Sequence, residues 1–166
     1  MRSVRTIPFP PESRLAARLG EATYRDAYEA DLSNPALTPL QIARAAFRAT
    51  PEWVEALIAL RDRIVTPLGL RPVGRLGDRV EEGDAPGDRL GIFRIETVDE
   101  AELVLGIDDS HLDVRISFLK RIGAAPATYV IASWVKTHNA LGRVYMLPVG
   151  RVHKAIVRLM MRGLAI

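Results

Sequence analysis

At 166 residues, with 48% hydrophobic and 26% charged side chains and a formal net charge of +3, the chain has the size and composition of one domain with a sizeable core. It has no cysteine and three histidines, which excludes disulfides, thiolate nucleophiles and cysteine-ligated metals and narrows imidazole chemistry to His111, His138 and His153. No apolar run reaches the ~18 residues of a membrane span. The start MRSVRTIPFPPESR is broken by Pro8, Pro10 and Pro11 where a secretory signal needs an apolar stretch, so a cytoplasmic protein is expected.

Residues 1–20 read as a basic, proline-interrupted extension carrying a short helix over Pro11 to Leu19, stopped at Gly20. The core of the single domain then runs from about 20 to 164. A strand is predicted over Thr23 to Leu32, where the period of two puts Tyr24, Asp26, Tyr28, Ala30 and Leu32 on the face to be buried. Thr38 as N-cap, Pro39 at the first helical position and Gln41 as the capping-box partner predict a helix to about Ala49. Thr50 and Pro51 repeat that device for a second helix to about Val65. It carries Trp53, Leu57, Leu60 and Ile64 on the side expected to pack and Glu52, Glu55, Asp62 and Arg63 on the other.

Residues 69–91 hold half of the twelve glycines and read as a long loop, with room for one short strand near Arg79 to Glu82. Four strand signals follow: Gly91 to Val98, Glu102 to Asp108, Leu112 to Lys120 and Thr128 to Thr137. Their short connections predict an antiparallel meander. Phe93 and Ile95, Leu103, Leu105 and Ile107, and Leu112, Val114, Ile116 and Phe118 mark the inward faces. The last strand is apolar on both parities, as a central or doubly covered strand would be. Ala140 to Leu164 reads as a closing helix with Val152, Ile156, Leu159 and Gly163 on the core stripe, Arg151, Lys154, Arg158 and Arg162 opposite, and a kink or break at Pro148. Strand, two helices, meander and long helix make an α+β domain with an antiparallel sheet of about five to seven strands.

That order is the order of a helix-grip fold, in which a curved sheet wraps a long C-terminal helix. The chain resembles the START/Bet v 1-like (SRPBCC) superfamily in this respect. The stretches PEWVEALIALRDRIVTPLGLR (51–71), DSHLDVRISFL (109–119) and THNALGRVY (137–145) are similar to a bacterial family of uncharacterised domains placed with that superfamily. The resemblance implies a cavity between sheet and closing helix for a small hydrophobic or lipid-like ligand. It assigns no reaction and no cofactor, because one fold hosts many functions. Some members of the family are fused behind a dinucleotide-binding domain; this chain shows no such domain, so no NAD site carries over.

Within that frame the candidate ligand-binding residues are Tyr24, Tyr28, Trp134, His138, Asn139, Arg143 and Tyr145. Tyr24, Tyr28 and Trp134 offer apolar bodies with one donor each. His138 and Asn139 sit where the last strand turns into the closing helix: Asn139 can cap the helix, and His138 becomes an acid or base only if strand parity turns Asp113 or Asp26 inward to partner it. Arg143 can pair with Asp113 or Glu102, or meet an anionic head group. His111 reads as part of a surface turn, and His153 as a surface or interface residue in the basic helix. Their spacing offers no metal site. Two alternatives stand beside ligand binding. One is cyclase- or hydratase-like acid/base chemistry at His138. The other is peripheral membrane or protein-partner contact through the basic C-terminal helix, with Val157 and Met161 as apolar contacts. Nucleic-acid partners are not expected, since aromatics and cations do not interleave.

Overall fold

A computed structural model describes residues 3–69, 72, 74, 83–123 and 126–164. Seven strands form one curved antiparallel sheet: β1 (Val4–Thr6), β2 (Tyr24–Asp31), β3 (Arg89–Leu90), β4 (Phe93–Val98), β5 (Glu102–Asp108), β6 (Leu112–Arg121) and β7 (Thr128–Thr137). Their order is β1-β2-β7-β6-β5-β4-β3. The meander β4 to β7 is therefore formed by sequential neighbours, and β7 closes back on β2 with Tyr24 opposite Val135 and Asp31 opposite Thr128. The strand predicted near Arg79 to Glu82 lies outside the described residues; neither β3 at Arg89–Leu90 nor β1 was foreseen.

Alternation decides the two faces. On the inner face Tyr28, Ala30, Ile95, Leu103, Leu105, Phe118, Tyr129 and Ile131 meet helix α1 (Pro39–Arg48), through Ile42 and Phe47, and helix α3 (Ala140–Gly163), through Val157 and Met161. Phe47 stacks on Phe93 at 5.6 Å and meets Phe118 edge-on at 6.0 Å. The outer face is covered as well: Ile7 and Phe9 pack on Ala27, Leu119 and Val130, and Leu15 on Val104 and Trp134. This explains why β7 is apolar on both parities.

A buried carboxylate pins that outer cover. Glu102, 2% exposed, accepts hydrogen bonds from Ser13 Oγ (2.6 Å), Ser117 Oγ (2.5 Å) and the Arg14 N–H (3.0 Å). The N-terminal helix is a 3-10 helix over Arg14–Glu21, capped by Ser13 and not begun at Pro11. The 3-10 helix Thr66–Leu68 follows α2 directly.

The helices depart from expectation in three places. The capping box of α1 is present, with the Thr38 side chain bonded to the Gln41 N–H and the Gln41 side chain returning to Thr38. Helix α2 (Glu52–Val65) has Pro51 at its cap with no side-chain bond, because Thr50 turns toward Met160 Sδ. Its Trp53, Leu57, Leu60 and Ile64 face outward and only Val54 and Val65 are buried, the reverse of the predicted orientation. Helix α3 is unbroken through Pro148, which is exposed, as is Val144, the residue whose carbonyl loses a donor. Its core stripe is rotated from the predicted one: Gly150, Val157, Met160 and Met161 are buried, while Val152 is exposed. Among the described residues no helix is long and apolar enough to cross a membrane.

Candidate functional site

Four of the seven predicted site residues, Trp134, His138, Asn139 and Arg143, are exposed or lie away from the inner face of the sheet. Trp134 is on the outer face, its Nε1 donating to the Arg18 carbonyl at 2.8 Å, because its parity is opposite to that of Ser133 and Val135. His138 Nε2 meets Asp113 Oδ1 at 2.9 Å at the partly exposed rim. Arg143 is exposed, and neither partner foreseen for it is open: Asp113 holds His138, and Glu102 is enclosed by Ser13 and Ser117. Asn139 caps α3 by accepting the Gly142 N–H at 3.0 Å and donates to the Ser110 carbonyl.

Tyr145 belongs to a second cluster. Its hydroxyl accepts from Arg61 Nε at 3.0 Å, and the His111 ring meets it edge-on at 5.3 Å. His111 is thus buried, 1% exposed, and not a surface-turn residue: the first turn of α3 closes over the β5–β6 turn, with His138 N–H bonded to the His111 carbonyl at 3.0 Å. Burial pushes the His111 imidazole below its usual pKa, and Arg61 and His138 act in the same direction against Asp109.

Tyr24 and Tyr28 fall in the cluster with the most chemistry. Tyr24, Asp26 and Tyr28 project from alternate positions of β2 to the inner face, and Asp26 lies opposite Ser133 of β7. Tyr24 Oη donates to Asp26 Oδ2 at 2.6 Å and Tyr28 Oη approaches the same oxygen at 3.3 Å. Helix α3 comes close above them because Gly150 has no side chain: a Cβ there would lie 3.1 Å from Tyr24 Cε2. One turn on, His153 Nε2 is 2.9 Å from Ser133 Oγ and 3.9 Å from Asp26 Oδ1. The predicted surface histidine is therefore on the sheet side of the helix. Lys154 and Arg158 lie over the Tyr24 and Tyr28 rings at 5.7 and 5.1 Å.

The electrostatics follow from burial around a carboxylate. The Asp26 side chain is 5% exposed, and no hydrogen-bond donor among the described residues reaches its Oδ1. Burial and the Asp26 charge push the Tyr28 hydroxyl up to about 12 and Tyr24 further, so both stay protonated donors. Burial lowers the pKa of His153 while Asp26 opposes the shift. Ser133 and Asp26 both approach the same imidazole nitrogen, whereas a serine nucleophile relay needs them on opposite nitrogens, so this is no hydrolytic triad.

Asp26 and Tyr28 form part of the wall of an open cleft of about 540 Å³, bounded by Thr6 to Phe9 on one side and Lys154 and Arg158 on the other. A second, smaller depression of about 380 Å³ lies against β4 and β5, beside Glu96 and Asp108. Arg115 fills that region with ion pairs to both acids. Among the described residues no group of three or more histidines, aspartates or glutamates could hold a metal ion.

Asp26, Ser133 and His153 were missed as site residues. The legible signal was an aspartate between two tyrosines on the apolar parity of β2; the placement of His153 depended on the rotation of α3.

The architecture is that of an α+β, helix-grip-like domain with a polar cluster between the edge of its sheet and its closing helix. Residues 18–160 match a family described as protein of unknown function (DUF2867), and the chain belongs to that family. No curated protein and no solved structure matches it.

Proposed function

We propose that the protein binds a small amphiphilic molecule in the cleft over Asp26. The observation that carries this reading is Asp26 Oδ1, a buried carboxylate oxygen without a donor. Leaving such an acceptor unpaired costs roughly 1–3 kcal/mol. That oxygen is closed to solvent, so a ligand hydroxyl or N–H supplies the missing bond as the cleft wall parts to admit it. Lys154 and Arg158 at the cleft edge suit an anionic group, and Ile7, Phe9 and Leu19 offer apolar contact along the same cleft. The resemblance to helix-grip ligand-binding proteins supports the reading, with the site at the sheet edge because the interior is filled by the Phe47, Phe118 and Met161 cluster.

Anilinonaphthalene sulfonate combines an anionic group, one N–H and an apolar body, and serves as a probe. Saturable fluorescence enhancement is expected, weakened roughly tenfold by Asp26→Asn and by Arg158→Gln, the equivalent of about 1.4 kcal/mol each. Affinity unchanged in both variants would refute the site. Native mass spectrometry of the purified protein would show any retained ligand as an adduct lost on unfolding.

A second reading has one observation in its favour: Asp26 and His153, two titratable groups 3.9 Å apart, converge with two tyrosine hydroxyls. That is an acid/base constellation. It replaces His138, whose partner Asp113 holds it at the rim of the sheet. Turnover of a bound ligand that stops in His153→Gln while binding persists would establish it.

A further inference from the structure

Helix α2 turns its apolar side to solvent. Trp53, Leu57, Leu60 and Ile64, spaced four, three and four apart, share one face and are 49, 42, 54 and 59% exposed. The partly buried side of the same helix carries Glu55, Arg61 and Asp62, so the usual amphipathic orientation is inverted. The first half of α3 repeats the pattern: Leu141, Val144 and Leu147 are all exposed.

The two stripes are neighbours. Arg61 Nε contacts Tyr145 Oη at 3.0 Å and its guanidinium lies over the same ring, so the helices are joined at positions one turn from Leu57 and Ile64 on α2 and from Leu141 on α3. Large apolar side chains exposed in this number on two joined helices mark a surface that contacts something.

Charge selects the occupant. The exposed charged residues along these stripes are Arg63 on α2 and Arg143 and Arg151 on α3, with Glu52 at the start of α2 the one exposed acid among the described residues of the two helices. Helix α3 has no acidic residue along its whole length. A two-fold copy of this face would bring its cations against their own likeness. A surface with apolar depth and negative phosphates satisfies both features.

We propose that the α2–α3 face docks on an anionic lipid bilayer, with the apolar stripes at the boundary between headgroups and acyl chains and Arg63, Arg143 and Arg151 on the phosphates. This contact uses none of the residues around Asp26 and stands independently of ligand binding there. It also differs from contact through Val157 and Met161, which are buried in the core.

The chain carries its own reporter, since of its two tryptophans Trp53 is half exposed and Trp134 is 3% exposed. The full chain is titrated with vesicles of equimolar phosphatidylglycerol and phosphatidylcholine, and with phosphatidylcholine alone. The expected result is a blue shift of tryptophan emission and co-sedimentation with the anionic vesicles, abolished as a shift in Trp53→Phe. Affinity should fall roughly tenfold or more in Leu60→Asp, and by several-fold in Arg143→Glu or at high salt. These positions are exposed, and unchanged circular dichroism checks that the variants fold. Absence of binding to anionic vesicles, or binding undiminished in Leu60→Asp, would overturn the proposal. So would a dimer in sedimentation velocity that Leu60→Asp splits, which would give the face to a second copy.

Discussion

Gly142→Ala is the sharpest perturbation of the junction between sheet and closing helix. A Cβ at this position would lie 2.1 Å from the His111 carbonyl oxygen, 3.1 Å from its carbon and 3.2 Å from Thr137 Cβ. The first distance is roughly 1 Å inside van der Waals contact. The obstacle is backbone, and the His111 carbonyl cannot swing away freely because it accepts the His138 N–H at 3.0 Å. The first turn of α3 must therefore lift, which also strains the bond from the Gly142 N–H to Asn139 Oδ1. Overpacking costs about 1–3 kcal/mol and a weakened N-cap about 1, while replacing a helical glycine by alanine returns about 1. The net expectation is a loss of about 1–3 kcal/mol, or roughly 2–12 °C in Tm for a chain of this length. Thermal and urea unfolding followed by circular dichroism measure it. Gly163→Ala is the control, since nothing lies within 4 Å of a Cβ at that helix end; its stability should be unchanged or slightly raised. A Gly142→Ala protein as stable as the wild type would refute the close approach of α3 to the β5–β6 turn.

Two further outcomes are expected. Glu102→Gln turns one of its two acceptor oxygens into a donor NH2, which must face either the Arg14 N–H or the two serine hydroxyls, and removes the charge from the remaining bonds, so it should cost about 2–4 kcal/mol; measured in a Trp53→Phe background, red-shifted Trp134 emission would show the N-terminal cover leaving the outer face, and an unshifted spectrum at wild-type stability would count against the pin. His111 and His153 both have folded pKa values below the usual 6.5, so the unfolded chain binds protons first as pH falls. Stability should be level above about pH 6.5 and decline below it by at most ~1.4 kcal/mol per pH unit per histidine. That window is separate from carboxylates such as Glu29, which burial would raise but Arg121 and Thr128 hold below 4.5 and whose contribution is lost only at more acid pH. Urea midpoints unchanged between about pH 7 and 5.5 would contradict the buried placement of His111 and the partly buried placement of His153.

Local patterns were enough for β2, the β4 to β7 meander and the three α-helices, and for one face of the sheet, but not for β1 or β3. The Thr38-Pro39-Gln41 capping box, the strict alternation of β2 and the double apolarity of β7 each encode their outcome within a few residues, since period and cap chemistry are properties of the chain itself. The β4 to β7 meander followed because its short connections leave antiparallel neighbours as the simple solution. Rotation of a helix about its axis is not encoded so locally. The predicted stripe of α3 was off by enough to bury His153 against Asp26 and expose Val152, and α2 was turned over entirely. Both helices have apolar residues on more than one side, so periodicity offers competing faces and packing chooses between them. The candidate site depends on that choice. Asp26 and the two tyrosines were on the buried parity of β2 from the sequence alone. Only the tertiary structure brought Ser133, His153 and the cations of α3 to them, because those contacts join residues more than 100 positions apart.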